Sequence, residues 1–485
     1  VSIFRKLAGQ TAVYGLSSIL GRLLNYLLVP LYTRVFDTAE YGIVTQFYAY
    51  AAFLNILFTF GLETSFFRFS QTESGNPKVY STALLSLIGT SVAFFALAWF
   101  FADPIAGAFS LAAGSGQPLS TYVIWFAGIL AADAVTAIPF ARLRQQEKAV
   151  KFAAIRLLNI GLNIGFNLYF LVYNRDAAAY DTSAAVGYVF LSNLLASLIT
   201  LFVLLPELVP VTEGFDKALW ARMMRYGLPL MVAGFAGMVN ETFDRIMLPY
   251  LVRDSATALD QLGIYGACYK LSILMTLFVQ TFRYAAEPFF FSQSGKEDAR
   301  QIYARVMNWF VIGCAFIFLV VMLYMDFFRH FIGEHFRSGL TVVPVLLLAN
   351  LCLGVYLNIS IWYKLTGKTA WGAWFSLSGA IVTLVLNFLL IPPLGYLGAA
   401  WTTLACYAGM MVASYAVGQR YYKVPYDTGI FIMSVSVAVA LWGASAYFDG
   451  FVTEQWSRYL VHSLLLPVFP AVVWLFLRRK SLKFA

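Results

Sequence analysis

Fourteen apolar segments follow one another along the chain with only short polar turns between them. They centre on residues 10–32, 42–68, 79–101, 121–141, 152–173, 184–205, 220–250, 261–290, 302–325, 340–363, 371–391, 396–418, 428–448 and 459–477. About 20 residues cross a bilayer as a helix. Lipid offers no water to backbone N–H and C=O groups, so segments of this length must satisfy them internally. The expected fold is therefore all-α, a polytopic membrane protein of fourteen transmembrane helices. Composition agrees: of 485 residues 60% are apolar and only 12% charged, about half the charged share of a soluble domain. No polar stretch is long enough for an appended ATPase or extracellular enzyme domain. The first apolar segment runs too long, and lacks the small-residue site, for a cleavable signal peptide.

The placement of charge matters more than its sum of +9. With the N-terminus inside, 24 Lys and Arg fall on the inner side and 7 on the outer, while Arg22 and Lys270 lie within spans. That bias puts both termini in the cytoplasm and requires an even number of spans. It also explains the basic balance without a nucleic-acid partner. Cys268, Cys314, Cys352 and Cys406 all sit in apolar segments without paired spacing, and read as small buried hydrophobes. Breaks are expected at Pro30, Gly61, Pro139, Gly227 with Pro229, Pro288 and Pro344.

A shift of 219 residues lays the first span on the seventh: Asn25 falls on Asp244, Pro30 on Pro249 and Arg34 on Arg253. After a two-residue gap, Gly42 falls on Gly263, Ile43 on Ile264 and Phe69 on Phe290. Six helices per unit give parallel halves related by an axis along the membrane normal. The expected organisation is an N-lobe over 1–210 (helices 1–6), a C-lobe over 211–420 (helices 7–12), and two additional helices over 421–485.

An ionisable group in hydrocarbon costs at least about 2.5–3.5 kcal/mol on insertion scales, so each one marks a wet cavity or a partner. Arg22 lies deep in span 1, with Gly15, Ser18, Asn25 and Tyr26 around it at helical spacing. It reads as a cavity-facing cation or as half of a structural ion pair. Lys270 lies eight residues into span 8, roughly 12 Å along the helix, where snorkelling is stretched and a cavity role is the rival reading. Span 7 carries Asn240 and Asp244 on one face, and Glu241 and Arg245 on another. The 219-residue shift sets Glu241 where Arg22 stands. Two alternatives arise, an Arg22–Glu241 (or Asp244) gate contact and an intra-helix Glu241–Arg245 pair. Glu63 with Arg68, and Arg283 with Glu287, sit near inner span ends and read as interfacial or functional. Asp133 is a candidate ion carrier or a helix-packing acceptor. Asn159, Asn163 and Asn167 form an i, i+4, i+8 stripe that serves as interhelical glue or lines a cavity. His330 and His335 stand in an outer loop without a further ligand, so no metal site is expected. No nucleotide-binding loop or catalytic triad motif is present.

Two stretches carry a family likeness: Leu20-Gly21-Arg22 through Pro30-Leu31-Tyr32-Thr33-Arg34-Val35-Phe36 with Glu40-Tyr41-Gly42, and Gly61-Leu62-Glu63 through Arg68-Phe69. With the fourteen-helix layout, the chain resembles the polysaccharide or lipid-linked oligosaccharide flippases (Wzx-like) of the multidrug/oligosaccharidyl-lipid/polysaccharide exporter superfamily. The resemblance implies transport of a polyprenyl-diphosphate-linked glycan from the cytoplasmic to the periplasmic leaflet of a bacterial inner membrane, by alternating access and without enzymatic chemistry. Under it, Arg22 and Lys270 bind the diphosphate, and Arg68, Arg225 and Arg283 attract it at the cytoplasmic mouth. Glu241, Asp244 and Asp133 serve a gate or ion coupling, while Asn25, Asn240, Asn159 and Asn163 line the cavity. Spans 13 and 14 resemble the extra pair that offers a groove for the lipid tail. No bound cofactor is expected; coupling is to a proton or sodium gradient or to membrane potential. The expected working form is a monomer in the lipid bilayer, beside polysaccharide polymerase machinery. The rival readings are a peptidoglycan lipid II flippase, an ion-coupled multidrug exporter of the same superfamily, and a membrane-embedded glycosyltransferase. The last is weakened by a longest outer loop, around 102–120, whose one charged residue is Asp103.

Overall fold

The computed structural model describes residues 20–21, 23–73, 75–108, 119–176, 185–208, 213–451 and 454–481. Helices make up nearly all of this, with no strand among the described residues. Residues 10–19 of span 1, and Arg22, lie outside the described residues. The N-terminal part of the chain then forms α1 (Leu28–Val35), α2 (Thr38–Thr59), α3 (Leu62–Thr72), α4 (Lys78–Phe100), α5 (Leu119–Gln145), α6 (Ala149–Leu171) and α7 (Ala185–Val203). Next come α8 (Lys217–Leu251), α9 (Ala258–Lys270), α10 (Ile273–Gln293), α11 (Ala299–Leu323) and α12 (Val342–Ile359). The chain ends with α13 (Ala370–Leu394), α14 (Tyr396–Tyr421), α15 (Thr428–Asp449), α16 (Gln455–Leu465) and α17 (Val468–Ser481). Among the described residues, 11 helices are long and apolar enough to cross a membrane, or 12 when α9 and α10 are taken as one bent span. The other two expected spans are the first and α8, whose apolar run is diluted by Gly227, Pro229, Gly234, Gly237, Asn240 and Glu241.

Helix starts sit where polar caps satisfy the free N–H groups. Asp37 and Glu40 close a reciprocal capping box at α2. Asp216 accepts from Leu219 N–H at 3.0 Å at the head of α8, which holds its carboxyl below the usual carboxylate range. Asp427 caps α15 through Ile430 N–H at 3.2 Å. The helix starts also repeat: Lys78 and Ala299, like Ala149 and Ala370, stand 221 residues apart (299 minus 78, 370 minus 149). That period equals the sequence shift of 219 plus its two-residue gap.

The breaks are fewer than the prolines and glycines suggest. Pro139, Pro229 and Pro288 lie inside continuous helices, as does Gly227. Pro30 follows the Leu27 turn that precedes α1, and Pro344 sits in the first turn of α12, where a missing N–H costs nothing. Span 2 does break at Gly61, and Phe60 shares the left-handed conformation (φ 48° and 66°). Span 8 breaks where no proline or glycine stands. Leu271 and Ser272 bond back three residues to Cys268 and Tyr269, and α10 leaves α9 bent by 51°. There the Cys268 thiol meets the Phe336 carbonyl, and Asn350 reaches the Ser272 hydroxyl at 3.4 Å. Side chains inserted at the backbone account for such a kink.

By its contacts the chain divides into two compact units, the described residues within Val1–Gly266 and Asn387–Gly395, and those within Ala267–Leu386 and Tyr396–Ala485. In the first unit α8 is fastened at its start to α4. Tyr80 hydroxyl donates to the Glu207 carbonyl (2.6 Å), Ser81 to Gly214 (2.6 Å), and Trp220 indole N–H to Ser86 (3.0 Å). Leu62, Phe66, Ala83, Leu84, Ile138, Leu219 and Met223 form a shared core beneath these bonds. Higher up, Ser65 donates to the Met223 carbonyl, and the Gly61 and Gly227 backbones meet so closely that a Cβ at Gly61 would lie 2.6 Å from Gly227 O. In the second unit, Phe290, Ala299, Tyr303, Ala304, Ile361 and Val424 form a corresponding core. Gly61→Ala must strain both a left-handed backbone and this contact, a cost of about 1–3 kcal/mol. Thermal unfolding in detergent checks it: Gly61→Ala lowers Tm by several degrees, whereas Gly89→Ala, whose new methyl meets open space, leaves it unchanged or higher.

Candidate functional site

The charged side chains of the first unit gather at the end of the spans that bears Arg68 and Arg225. Arg68 on α3 is exposed, its guanidinium 4.2 Å from the Tyr226 ring, and Arg225 next to that tyrosine is also exposed. Of the cations expected at the cytoplasmic mouth, Arg68 thus meets the helix that carries Arg225. Carboxylates hold their neighbours: Glu63 pairs with Arg144, Glu73 with Arg222 at 2.6 Å, and buried Glu207 with Lys151 at 2.6 Å and Arg142 at 3.7 Å. Arg142 and Arg144 also lie over the rings of Tyr80 and Phe67. Arg283, the third expected mouth cation, belongs to the second unit. Its Nε stands 3.7 Å from Glu287 Oε2, while Lys364 Nζ takes Glu287 Oε1 at 2.6 Å.

Deeper in the first unit, Asp133 on α5 is exposed and accepts from the Ser197 hydroxyl at 2.9 Å. Arg156 on α6 lies near enough to act on it electrostatically and stacks 4.3 Å over Phe140. Tyr48 joins the group, accepting from Asn193 at 3.0 Å. A carboxylate, a guanidinium, a phenol, an amide and a hydroxyl therefore converge on α2, α5, α6 and α7. A carboxylate in such a setting is chemically able to take up a proton or a small cation. The asparagine stripe beside it does the work of glue. Asn159 bonds Thr200 on α7 at 2.9 Å, and Asn167 bonds Asn163 and accepts from Tyr32 at 2.9 Å.

On α8, Asn240 and Asp244 share a buried face, as their spacing requires. Tyr265 hydroxyl donates to Asp244 Oδ2 at 2.5 Å, and the Arg245 N–H reaches Oδ1 at 2.8 Å. Glu241 is exposed, and the Arg245 guanidinium meets both the Glu241 carbonyl and the Asp244 carboxylate. Lys270 is the exposed last residue of α9, at the break itself, about 18 Å along the helix from Ala258. Asn25 is exposed before the Leu27 turn.

Several partners were not legible from spacing alone: Tyr265 for Asp244, Tyr48 and Asn193 beside Asp133, Glu207 between two cations, and Lys364 for Glu287. The repeat offered one signal, since Arg144 and Lys364 stand 220 residues apart and each pairs with a glutamate of its own unit.

These features define a multi-pass membrane protein with a transporter fold. A family model described as "Polysaccharide biosynthesis protein" matches residues 7–294, more than half of the 485, and the chain belongs to that family. Among solved structures it is similar to "Lipid II flippase MurJ, inward closed conformation", with a TM-score of 0.72 at 13% identity, covering 96% of this chain and 99% of that one. An inward-facing MATE multidrug resistance transporter gives 0.66 at 12% identity over 83% and 93%. The MATE multidrug transporter DinF-BH gives 0.63 at 15% identity over 88% and 96%. At such identities the likeness is one of fold. No protein of curated function matches the chain in sequence.

Removing the Tyr265 hydroxyl leaves a buried Asp244 oxygen unmatched, at a cost of about 1–3 kcal/mol. Tyr265→Phe therefore lowers Tm clearly in detergent-solubilised protein. Tyr250→Phe, which removes an exposed hydroxyl contact to Tyr50, shifts stability by less than about 0.5 kcal/mol.

Proposed function

We propose that the chain is a flippase for a polyprenyl-diphosphate-linked oligosaccharide, moving it from the cytoplasmic to the periplasmic leaflet of a bacterial inner membrane for cell-surface polysaccharide synthesis. Family membership supports the class. The observation that carries the lipid-linked substrate is a cavity of about 270 Å³ in the second unit, between α11, α12, α14 and α15. Its walls include Val311, Val355, Ile359, Met411, Val412 and Phe431, an apolar surface suited to an isoprenoid tail. Tyr426 and Asp427 border it at one end, toward the polar caps of the helices.

The head group needs cations, because about two negative charges cannot enter hydrocarbon alone. We assign Arg22 and Lys270 to the diphosphate, and Arg68, Arg225 and Arg283 to its capture at the cytoplasmic mouth. Alternating access then delivers it to a face with fewer cations. Coupling to an ion gradient or membrane potential falls to Asp133, with Asp244 and Glu241 at a gate. Both termini are cytoplasmic in this reading, and the protein acts as a monomer alongside a polymerase. Transport of lipid II is the second reading, favoured by the extent of the likeness to the MurJ fold.

Native mass spectrometry of gently purified protein tests the substrate. A co-purifying polyprenyl diphosphate with sugars is the expected result, and a single pentapeptide-bearing disaccharide would transfer the protein to the second reading. Only bulk phospholipid, together with export of organic cations from proteoliposomes, would overturn both. Arg22→Ala and Lys270→Ala each lower lipid occupancy by tenfold or more if they hold the diphosphate; undiminished occupancy would remove them from the site. Asp133→Asn leaves lipid binding unchanged but makes flipping insensitive to the imposed gradient. Retained sensitivity would exclude Asp133 as the coupling group.

A further inference from the structure

The carboxylate of Glu287 is shared by two cations, Lys364 at 2.6 Å and Arg283 at 3.7 Å, so the cluster carries a net charge of +1. The three side chains border a second cavity in this unit, of about 20 Å³, room for about one water. Buried Asn358 adds an amide, while Val279, Ala286 and Leu357 give it apolar walls. Low-dielectric walls strengthen the field of the uncompensated charge.

The other unit supplies an internal control. Glu63 pairs with Arg144 there as Glu287 pairs with Lys364, each tying a broken span's second helix to the span two further along the chain. In that copy, Arg144 makes the ion pair and rests over Phe67 and Phe152, while Arg156 lies near enough to act on both partners electrostatically. In the register that sets Phe69 on Phe290, Arg283 falls on Leu62. Arg283 therefore has no basic counterpart at that position of the first unit, and with Lys364 it borders the cavity.

We propose that Arg283, Lys364 and Asn358 form a phosphate-group subsite that Glu287 occupies as an internal stand-in. The two Glu287 oxygens take positions that two phosphate oxygens take on binding. A diphosphate brings more charge and more acceptor oxygens than a carboxylate, so it displaces Glu287 and draws both cations to itself. Release returns Glu287 to them, which keeps the cluster from trapping its ligand. The inference deepens the flippase reading and rests on it only for the source of the phosphates, a lipid-borne diphosphate rather than a free one.

Full-length protein in lipid nanodiscs, titrated with inorganic diphosphate and separately with a polyprenyl diphosphate, tests the site. Glu287→Gln removes the competitor and tightens diphosphate binding on the order of tenfold. Arg283→Gln, an exposed change that leaves the 2.6 Å Lys364–Glu287 pair intact, weakens it by a similar factor, as does Lys364→Ala. Arg144→Ala, in the plain brace, lowers Tm without altering affinity. The proposal is overturned if Arg283→Gln leaves binding unchanged, or if Glu287→Gln only lowers Tm as Arg144→Ala does. Tighter binding of the polyprenyl form identifies a lipid-borne ligand, and equal binding of both identifies the phosphate group alone as what is read. If the variants follow this pattern while the wild type fails to flip a polyprenyl-diphosphate glycan in proteoliposomes, the subsite stands and the flippase reading falls. Flipping accompanied by unaltered binding in Arg283→Gln has the reverse meaning.

Discussion

Charge in hydrocarbon must be matched, and the order of this chain follows from how each charge finds its match. At the cation-rich end of the first unit, three glutamates take up four basic side chains, and aromatic rings lie over Arg68, Arg142, Arg144 and Arg156. These contacts do more than neutralise. Glu207 stands just after α7, where Tyr80, Lys151 and Arg142 all reach it, so one residue ties the end of span 6 to α4, α5 and α6. The adjoining bonds from Ser81, Thr82 and Ser86 then fix the start of α8 on α4. Electrostatic matching at the membrane boundary thereby decides which unit the seventh span joins.

The same logic governs the backbone. A helix crossing lipid breaks only where something else satisfies the freed groups or where packing offsets the strain. At Phe60 and Gly61 two left-handed residues are held by the Gly227 backbone and the Ser65–Met223 bond. At Leu271 and Ser272 a tightened turn, with Cys268 and Asn350 bonded around it, puts Lys270 at a helix end. A lysine there faces the negative pole of α9 and gains from it. The break and the deep cation are thus one feature.

Span positions were legible because bilayer thickness sets their length, and the period of the repeat was legible because helix starts recur at it. Breaks were less so. Proline within a long membrane helix is tolerated, as Pro139, Pro229 and Pro288 are here, while the bend in span 8 arises from side chains distant in sequence. The candidate site was read one charge at a time. Spacing placed Asn240 and Asp244 on one buried face, but it carried no information about Tyr265, which arrives from the next helix. Glu63 and Glu287 read as interfacial for the same reason: their partners, Arg144 and Lys364, lie about 80 residues away (144 minus 63, 364 minus 287) and appeared only as cations counted on the inner side.

The proposed flippase function requires cations that are held without being locked. At the cation-rich end of the first unit Glu63, Glu73 and Glu207 serve as counter-ions, and the guanidiniums of Arg68 and Arg156 rest over rings, which attract a cation without neutralising it. In the second unit Glu287 stands between two cations, as Glu207 does in the first, so part of the cationic charge remains uncompensated at both. Under the proposed flippase reading, a diphosphate on an isoprenoid tail matches both these cations and the apolar wall of the neighbouring cavity.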